Sequence, residues 1–281
     1  MKVTIWGCRG SLPTPGPETV GYGGNTSCVE VALENGDVLV LDAGSGIRRL
    51  GLELLERGIR RLDLLLTHLH LDHVEGLRFF APLFDERVRL VIWGPPSPVS
   101  SLEERIARSF SPPLFPVDLR RVPAQVSFHD VPRGSWTIHG ASLSASLVAH
   151  PGPTLGFRID TPTSSVAYLP DHEPALAGPI ATRSRDWISG SSLAEDADLL
   201  LHDAQYFEDE YGERVGWGHS SVADAVEFAR AAGAGRLVLF HHDPSHSDDA
   251  LERLQDRART LAGAGTEPPT LAHEGMTLEL D

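Results

Sequence analysis

The densest chemistry in the chain lies in one short string, THLHLDHVEGL at 67–77, which sets His68, His70, Asp72 and His73 within six positions. Neutral imidazole nitrogen and carboxylate oxygen are the donors that Zn²⁺, Mn²⁺ and Fe²⁺ accept. His68 and His70, two apart in an extended loop, can aim at one cation. Asp72 and His73, at the start of a following helix, reach a second. Such a string predicts a metal-binding site, provided that the fold brings further donors to the same place.

The surrounding elements are legible from hydrophobic periodicity. Short β-type runs fill the first half at 2–8, 27–33, 37–42, 62–67 and 88–93, so the metal-ligand string leaves a strand directly. Residues 46–57 predict a helix with Ile47, Leu50, Leu54 and Leu55 on one face, stopped by Gly58. A short helix near 101–109 stands between Pro-rich loops at 94–98 and 112–116. The second half begins with strands at 124–130, 134–138, 141–149, 154–160 and 164–169. It continues with strand 198–202, helix 220–232, strand 236–240 and helix 248–262. Strands clustered in both halves, each half with its own helices, predict two mixed β-sheets packed face to face with helices on the outer faces. This is a four-layer αβ/βα sandwich forming a single domain over 1–281. The Pro-, Gly- and Ser-rich segment 173–192 is a candidate flap over a site or an ordinary surface loop.

Composition narrows the partners. A hydrophobic fraction of 41% supplies a sizeable core, and the 22% charged residues carry a net charge of −15 that repels polyanions at long range. The clustered Arg48, Arg49, Arg60 and Arg61 read as solvated helix face and loop edge. No run approaches the apolar length of a membrane span, and MKVTIWGCRG enters a strand at once, so a cytoplasmic location is expected. Cys8 and Cys28 sit in apolar strand contexts and are expected as buried free thiols. A homodimer is left open by the sequence.

The string at 67–77 resembles the H-x-H-x-D-H motif of the metallo-β-lactamase superfamily, and later motifs carry the resemblance over nearly the whole chain. The resemblance implies two metal sites. His150 in VAHPG would join His68 and His70 at the first, and Asp171 in AYLPDHE would bridge the two. The histidine ending strand 236–240 would join Asp72 and His73 at the second. Neighbouring strand residues point oppositely, so only one of His241 and His242 can serve, and the LVLFH pattern favours His241. Asp42 in LVLDAG resembles the aspartate that braces a ligating histidine, whereas His172 and His202 are expected in supporting or structural roles. The implied cofactors are two divalent ions, Zn²⁺ first, with Mn²⁺ and Fe²⁺ also fitting the donor set.

Two further segments, LLLHDAQY at 199–206 and GWGHSSVADAVEFARAAGAGRLVLFHHD at 216–243, resemble the phosphodiesterase branch that includes the tRNA 3′-processing endonuclease and cyclic-nucleotide phosphodiesterases. Mapped here, they name Asp203 and His219. The pair has its own physical case. Two cations can provide a bridging hydroxide for attack on phosphorus and share the growing charge, after which a proton must reach the departing alkoxide. An imidazolium held by a carboxylate suits that task, with Asp72 available to orient the nucleophile. The glycine-rich GCRGSLPTPGPETVGYGGNTSCVEV resembles the same branch and nominates Arg9 and Asn25 as substrate contacts. Ser220 is a third, at a helix start where N–H groups can meet a phosphate.

Two departures bear on the substrate. Asp203 lies within HDAQ where the endonuclease carries a glutamate, and no long glycine- and basic-rich arm is found. With the charge of −15, these favour a small phosphodiester such as a cyclic nucleotide or short nucleic-acid product over extended nucleic acid. The alternatives are an endoribonuclease acting on tRNA 3′ ends, a lactone, thioester or β-lactam hydrolase, and a nucleotide-binding sensor with little turnover.

Overall fold

The computed structural model describes residues 1–263 and 267–281. Two sheets of seven strands form its centre. The first contains β1 (Lys2–Gly7), β2 (Cys28–Ala32), β3 (Val38–Leu41), β4 (Arg61–Leu65), β5 (Arg89–Gly94), β6 (Gln125–Asp130) and the last strand, β14 (Thr277–Glu279). Its spatial order is β14-β1-β2-β3-β4-β5-β6. The second contains β7 (Ser135–Ile138), β8 (Ala141–Leu147), β9 (Leu155–Asp160), β10 (Ser165–Leu169), β11 (Leu199–Asp203), β12 (Arg236–Phe240) and β13 (Thr270–Leu271). These follow one another in the order β13-β12-β11-β10-β9-β8-β7.

Both sheets are mixed in the same way. Strands β3 to β6 run parallel, as do β10 to β13, while β14, β1 and β2 in one sheet and β7 to β9 in the other pair antiparallel. The parallel strands are apolar on both faces because both are covered, which explains the near-continuous runs VLVL and RLVLF. The period of two sorts their side chains. Leu39, Leu41, Val166, Tyr168, Leu199, Leu201, Val238 and Phe240 enter the layer between the sheets. Their neighbours Val38, Val40, Ala167, Leu169, Leu200, Leu237 and Leu239 face outward.

Helices cover the outer faces. On the first sheet, α1 (Ile47–Glu56) buries Ile47, Leu50, Gly51 and Leu54, whereas Leu55 sits at the rim. Gly51 replaces Leu55 in the contact because the helix presses on Phe80 and Pro82, where a Cβ would come within 2.7 Å of the Phe80 ring. After the short α2 (Leu71–Val74), α3 (Leu102–Ala107) begins in a capping box of Ser101 and Glu104. On the second sheet, α4 (Ser191–Ala194) and the short α5 (Glu208–Tyr211) precede α6 (Val222–Ala232) and α7 (Asp248–Ala262). Ser221 and Ser247 cap α6 and α7, and Gly233, left-handed at φ +74°, ends α6.

The expected four-layer sandwich of two mixed sheets is therefore the observed architecture. Cys8 and Cys28 are buried free thiols. Within 173–192, two 3₁₀ turns seat Ile180 and Ile188 in the outer core of the second sheet, and Ser189 bonds His172. Those anchors tie the segment to the outer face of the second sheet. Among the described residues no helix is long and apolar enough to cross a membrane.

Candidate metal centre

The site forms where the carboxyl ends of the parallel strands of both sheets meet. Asp42 directly follows β3, and Thr67 and His68 lie just beyond β4. Asp171 stands two residues past β10, Asp203 ends β11, and His241 follows β12. His150 arrives three residues past β8. A strand end is a suitable mount, because the ladder fixes the backbone up to the last residue while the next side chain is free to turn inward.

Donor atoms of His68, His70 and His150 lie within 4.8 Å of one another, as do those of Asp72, His73, Asp171 and His241. Asp171 joins the two groups. Its Oδ2 is 3.7 Å from both His68 Nε2 and His150 Nε2, and its Oδ1 is 3.0 Å from His73 Nε2 and 3.4 Å from His241 Nε2. Asp72 Oδ2 lies 3.3 Å from His73 Nε2 and 3.2 Å from His241 Nε2, and accepts the Ser11 N–H. His242, by contrast, turns away and pairs its Nε2 with the Ala272 carbonyl. The adjacent-histidine choice thus falls on His241, which takes a left-handed backbone at φ +62° as it leaves β12.

A brace stands behind the first sheet's contribution. Fully buried Asp42 accepts from Thr67 N, Thr67 Oγ1 and Tyr168 OH, and lies 2.8 Å from His73 Nδ1. That contact fixes which nitrogen His73 turns to the centre. His150 is fixed in the same sense by its Nδ1 donating to Gly218 O at 2.9 Å.

Several features of the centre fit a pair of cations. Asp42, Asp72 and Asp171 are all nearly inaccessible, and three buried carboxylates require compensating positive charge. His68 Nε2, His73 Nε2 and Asp171 Oδ1 are buried without hydrogen-bond partners. Burial depresses the pKa of His68, His70 and His150, leaving the neutral rings that ligation needs. Burial would raise Asp171, but His241, His73 and His68 hold it well below the usual carboxylate range. The donors present therefore suit two divalent ions.

Beside this centre, His219 Nδ1 lies 2.6 Å from Asp203 Oδ2, and the imidazole stacks on His241 with ring centroids 4.8 Å apart. A ring nitrogen of His219 lies within 4.8 Å of the facing atoms of His150 and Asp171. Asp203 accepts backbone N–H bonds from His172, Gln205 and Ser220, so its orientation does not depend on His219. Burial opposes charge on His219, but Asp203, its hydrogen bond, Asp171 and Asp72 outweigh it and push the pKa up to about 9. Held by the Asp203 carboxylate, the ring is suited to carry a proton beside the centre. His172 and His202 pair with each other at 2.9 Å beneath the site, with His172 also on Ser189 and His202 on the Asp203 carbonyl.

The three expected substrate contacts are corrected by the structure. Arg9 is fully buried and its guanidinium donates to the carbonyls of Gly23, Asp243 and His246, tying loops together. Asn25 gives its amide NH₂ to Glu274 and receives Ser45 Oγ. Ser220 is buried and donates to the His172 carbonyl, while Ser221 caps α6. Glycine-rich sequence and a helix start had suggested phosphate binding; here the polar groups are consumed by loop packing. Sequence reasoning did not single out Tyr168, Ser11 or Glu173. The last is buried and accepts from Gly216 N, Gly218 N and Tyr211 OH, pinning the loop before His219. Only its place two residues after Asp171 hints at this.

Comparison with known proteins agrees with the geometry. Ribonuclease Z of Staphylococcus haemolyticus is 24% identical, covering 92% of this chain and 94% of the relative. Ribonuclease Z of Haloarcula marismortui is 28% identical, covering 98% of this chain and 96% of the relative. The crystal structure of human tRNase Z, short form, superposes with a TM-score of 0.67 at 22% identity and full coverage of both chains, a likeness of fold. The family profile of the β-lactamase superfamily domain matches residues 38–242, the stretch from the end that carries Asp42 to the end that carries His241. The chain belongs to the metallo-β-lactamase superfamily of hydrolases.

Proposed function

We propose that this hydrolase is a metal-dependent phosphodiesterase of the ribonuclease Z kind, acting on the 3′ end of a tRNA. The observation that carries the reading is the Asp203–His219 pair standing against the metal-ligand cluster, since hydrolysis of an alkyl phosphodiester needs a proton for its leaving oxygen. The curated relatives support the tRNA substrate: both are named ribonuclease Z, and both align over more than nine-tenths of this chain. They favour the alternative that the missing arm and the net charge had put second to the small diester.

In this reading His68, His70 and His150 would hold one ion and Asp72, His73 and His241 the other, with Asp171 facing both groups of donors. Such ions would supply the nucleophile and offset charge on the phosphoryl oxygens. Asp72, fixed by the Ser11 N–H, is positioned to orient the attacking group. Asp203, locked by three backbone N–H groups, holds the His219 ring so that its proton faces the centre. Loss of that proton to the leaving oxygen leaves a neutral ring beside His241.

A small phosphodiester remains the second reading, favoured by the charge of −15. A precursor tRNA with a 3′ trailer, run beside cyclic nucleotides, bis-p-nitrophenyl phosphate and an acyl lactone with added Zn²⁺ or Mn²⁺, separates the readings. Site-specific trailer removal with the highest kcat/KM supports the proposal. Faster turnover of the cyclic nucleotide overturns the tRNA assignment, and lactone turnover without diester turnover overturns phosphodiester chemistry altogether.

A further inference from the structure

On the His219 side of the centre lies a cavity of about 360 Å³ bordered by Ser11, Gln205, Tyr206, Arg214, Trp217 and His219. Its rim carries an exposed aromatic. Trp217 is 60% exposed, although the loop presenting it is tightly held. Gly216 and Gly218, at φ +87° and +90°, flank it and donate to the buried Glu173 carboxylate. A Cβ on Gly218 would lie 2.4 Å from His150 Nδ1, so the loop passes as close to a candidate ligand as a backbone can. The backbone that presents an exposed indole two residues before the proton donor is thus held by four contacts, counting the bonds Trp217 N to Arg214 O and His150 Nδ1 to Gly218 O.

The polar groups around the cavity indicate what it takes. Arg214 lies with its guanidinium over the Tyr206 ring, 5.0 Å from the centroid, and donates to the Glu210 carbonyl. Asp243 also lines the cavity and accepts from Ser245. A lining that includes a carboxylate, with its arginine already engaged, makes a poor second phosphate site. Gln205, only 3% exposed, keeps its Oε1 without a hydrogen-bond partner. A flat, uncharged group with donor edges fits an indole face and an idle amide oxygen; a second phosphate does not.

We infer that this cavity is a nucleoside subsite for the leaving side of the diester, with Trp217 as its stacking platform and Gln205 as its hydrogen-bond acceptor. The location follows from chemistry: whichever hydroxyl departs must depart next to the group that protonates it, and that group is His219. The assignment rests on the phosphodiesterase reading for the word leaving, but not for the binding of a base.

The test uses the full-length, metal-loaded protein with Trp217→Ala and Trp217→Phe; Trp217 is exposed, so the fold is not at stake. Dinucleoside monophosphates are compared with analogues in which one or the other ribose lacks its base. The parent is expected to prefer the base on the leaving side, and Trp217→Ala to lower that preference about 10-fold through KM, with Trp217→Phe restoring most of it. Binding of adenosine, followed by calorimetry without turnover, is expected to weaken by about the same factor in Trp217→Ala. Unchanged preference and unchanged adenosine affinity in Trp217→Ala overturn the subsite. If no diester is hydrolysed by any form while adenosine binding still depends on Trp217, the phosphodiesterase reading fails and the base site stands.

Discussion

The two sheets supply the centre by different means. The first delivers four donors in one string, His68 to His73, carried on the loop after β4 and the first turn of α2, with buried Asp42 bracing both the Thr67 turn and His73 and the Ser11 N–H holding Asp72. The second delivers one donor per strand end, at His150, Asp171 and His241, each with a separate anchor or none beyond its strand. A contiguous string shares one brace and should lose its geometry as a unit. Dispersed donors should fail singly, except for the one that both groups face, Asp171.

The largest effect is therefore expected at Asp171→Ala. Both donor groups lose their common carboxylate, so bound metal should fall below two ions per chain and turnover by at least about 10³-fold, the scale of a preorganised charge in such a site. Metal analysis together with kinetics checks this, and retention of two ions would place the bridge elsewhere. His219→Ala should lower kcat by about 10² to 10⁴-fold on substrates with alkoxide leaving groups, with much less effect on p-nitrophenyl esters and no loss of metal. Equal losses on both substrate types would assign His219 to metal binding instead.

Asp42→Asn tests the shared brace. It should weaken metal affinity about 10 to 100-fold at both sites, since the same carboxylate orders His73 and the Thr67 turn that leads into His68. A loss confined to one ion would mean that the string is not one unit. The smallest effect is expected at the start of α6, where Ser221→Ala removes the cap and should cost about 1 kcal/mol in denaturant unfolding, leaving metal content unchanged.

The same contrast explains what the sequence made legible. Covered parallel strands write themselves as unbroken apolar runs, so β3, β4, β11 and β12 were visible, and the donors at their ends could be placed. Boundaries shifted where a cap rather than an apolar residue decides them. The helix expected from 220 begins at Val222 because Ser220 bonds the His172 carbonyl and Ser221 is the cap. Arg9 and Asn25 were misassigned because a polar residue in a glycine-rich loop looks the same whether it meets a ligand or a neighbouring carbonyl. That difference depends on the paths of segments 14 to 249 positions away, the separations of the contacts these two side chains make with Gly23, Ser45, His246 and Glu274. Trp217 escaped notice for the converse reason: an exposed indole leaves no periodic trace.

Anomalous diffraction at the zinc edge from crystals of the zinc-reconstituted protein probes the centre most directly. Two peaks are expected about 3.5–4 Å apart, one among His68, His70 and His150 and the other among Asp72, His73 and His241, with Asp171 between them. A single peak, or a pair that leaves Asp171 without a metal contact on either side, would contradict the dinuclear centre.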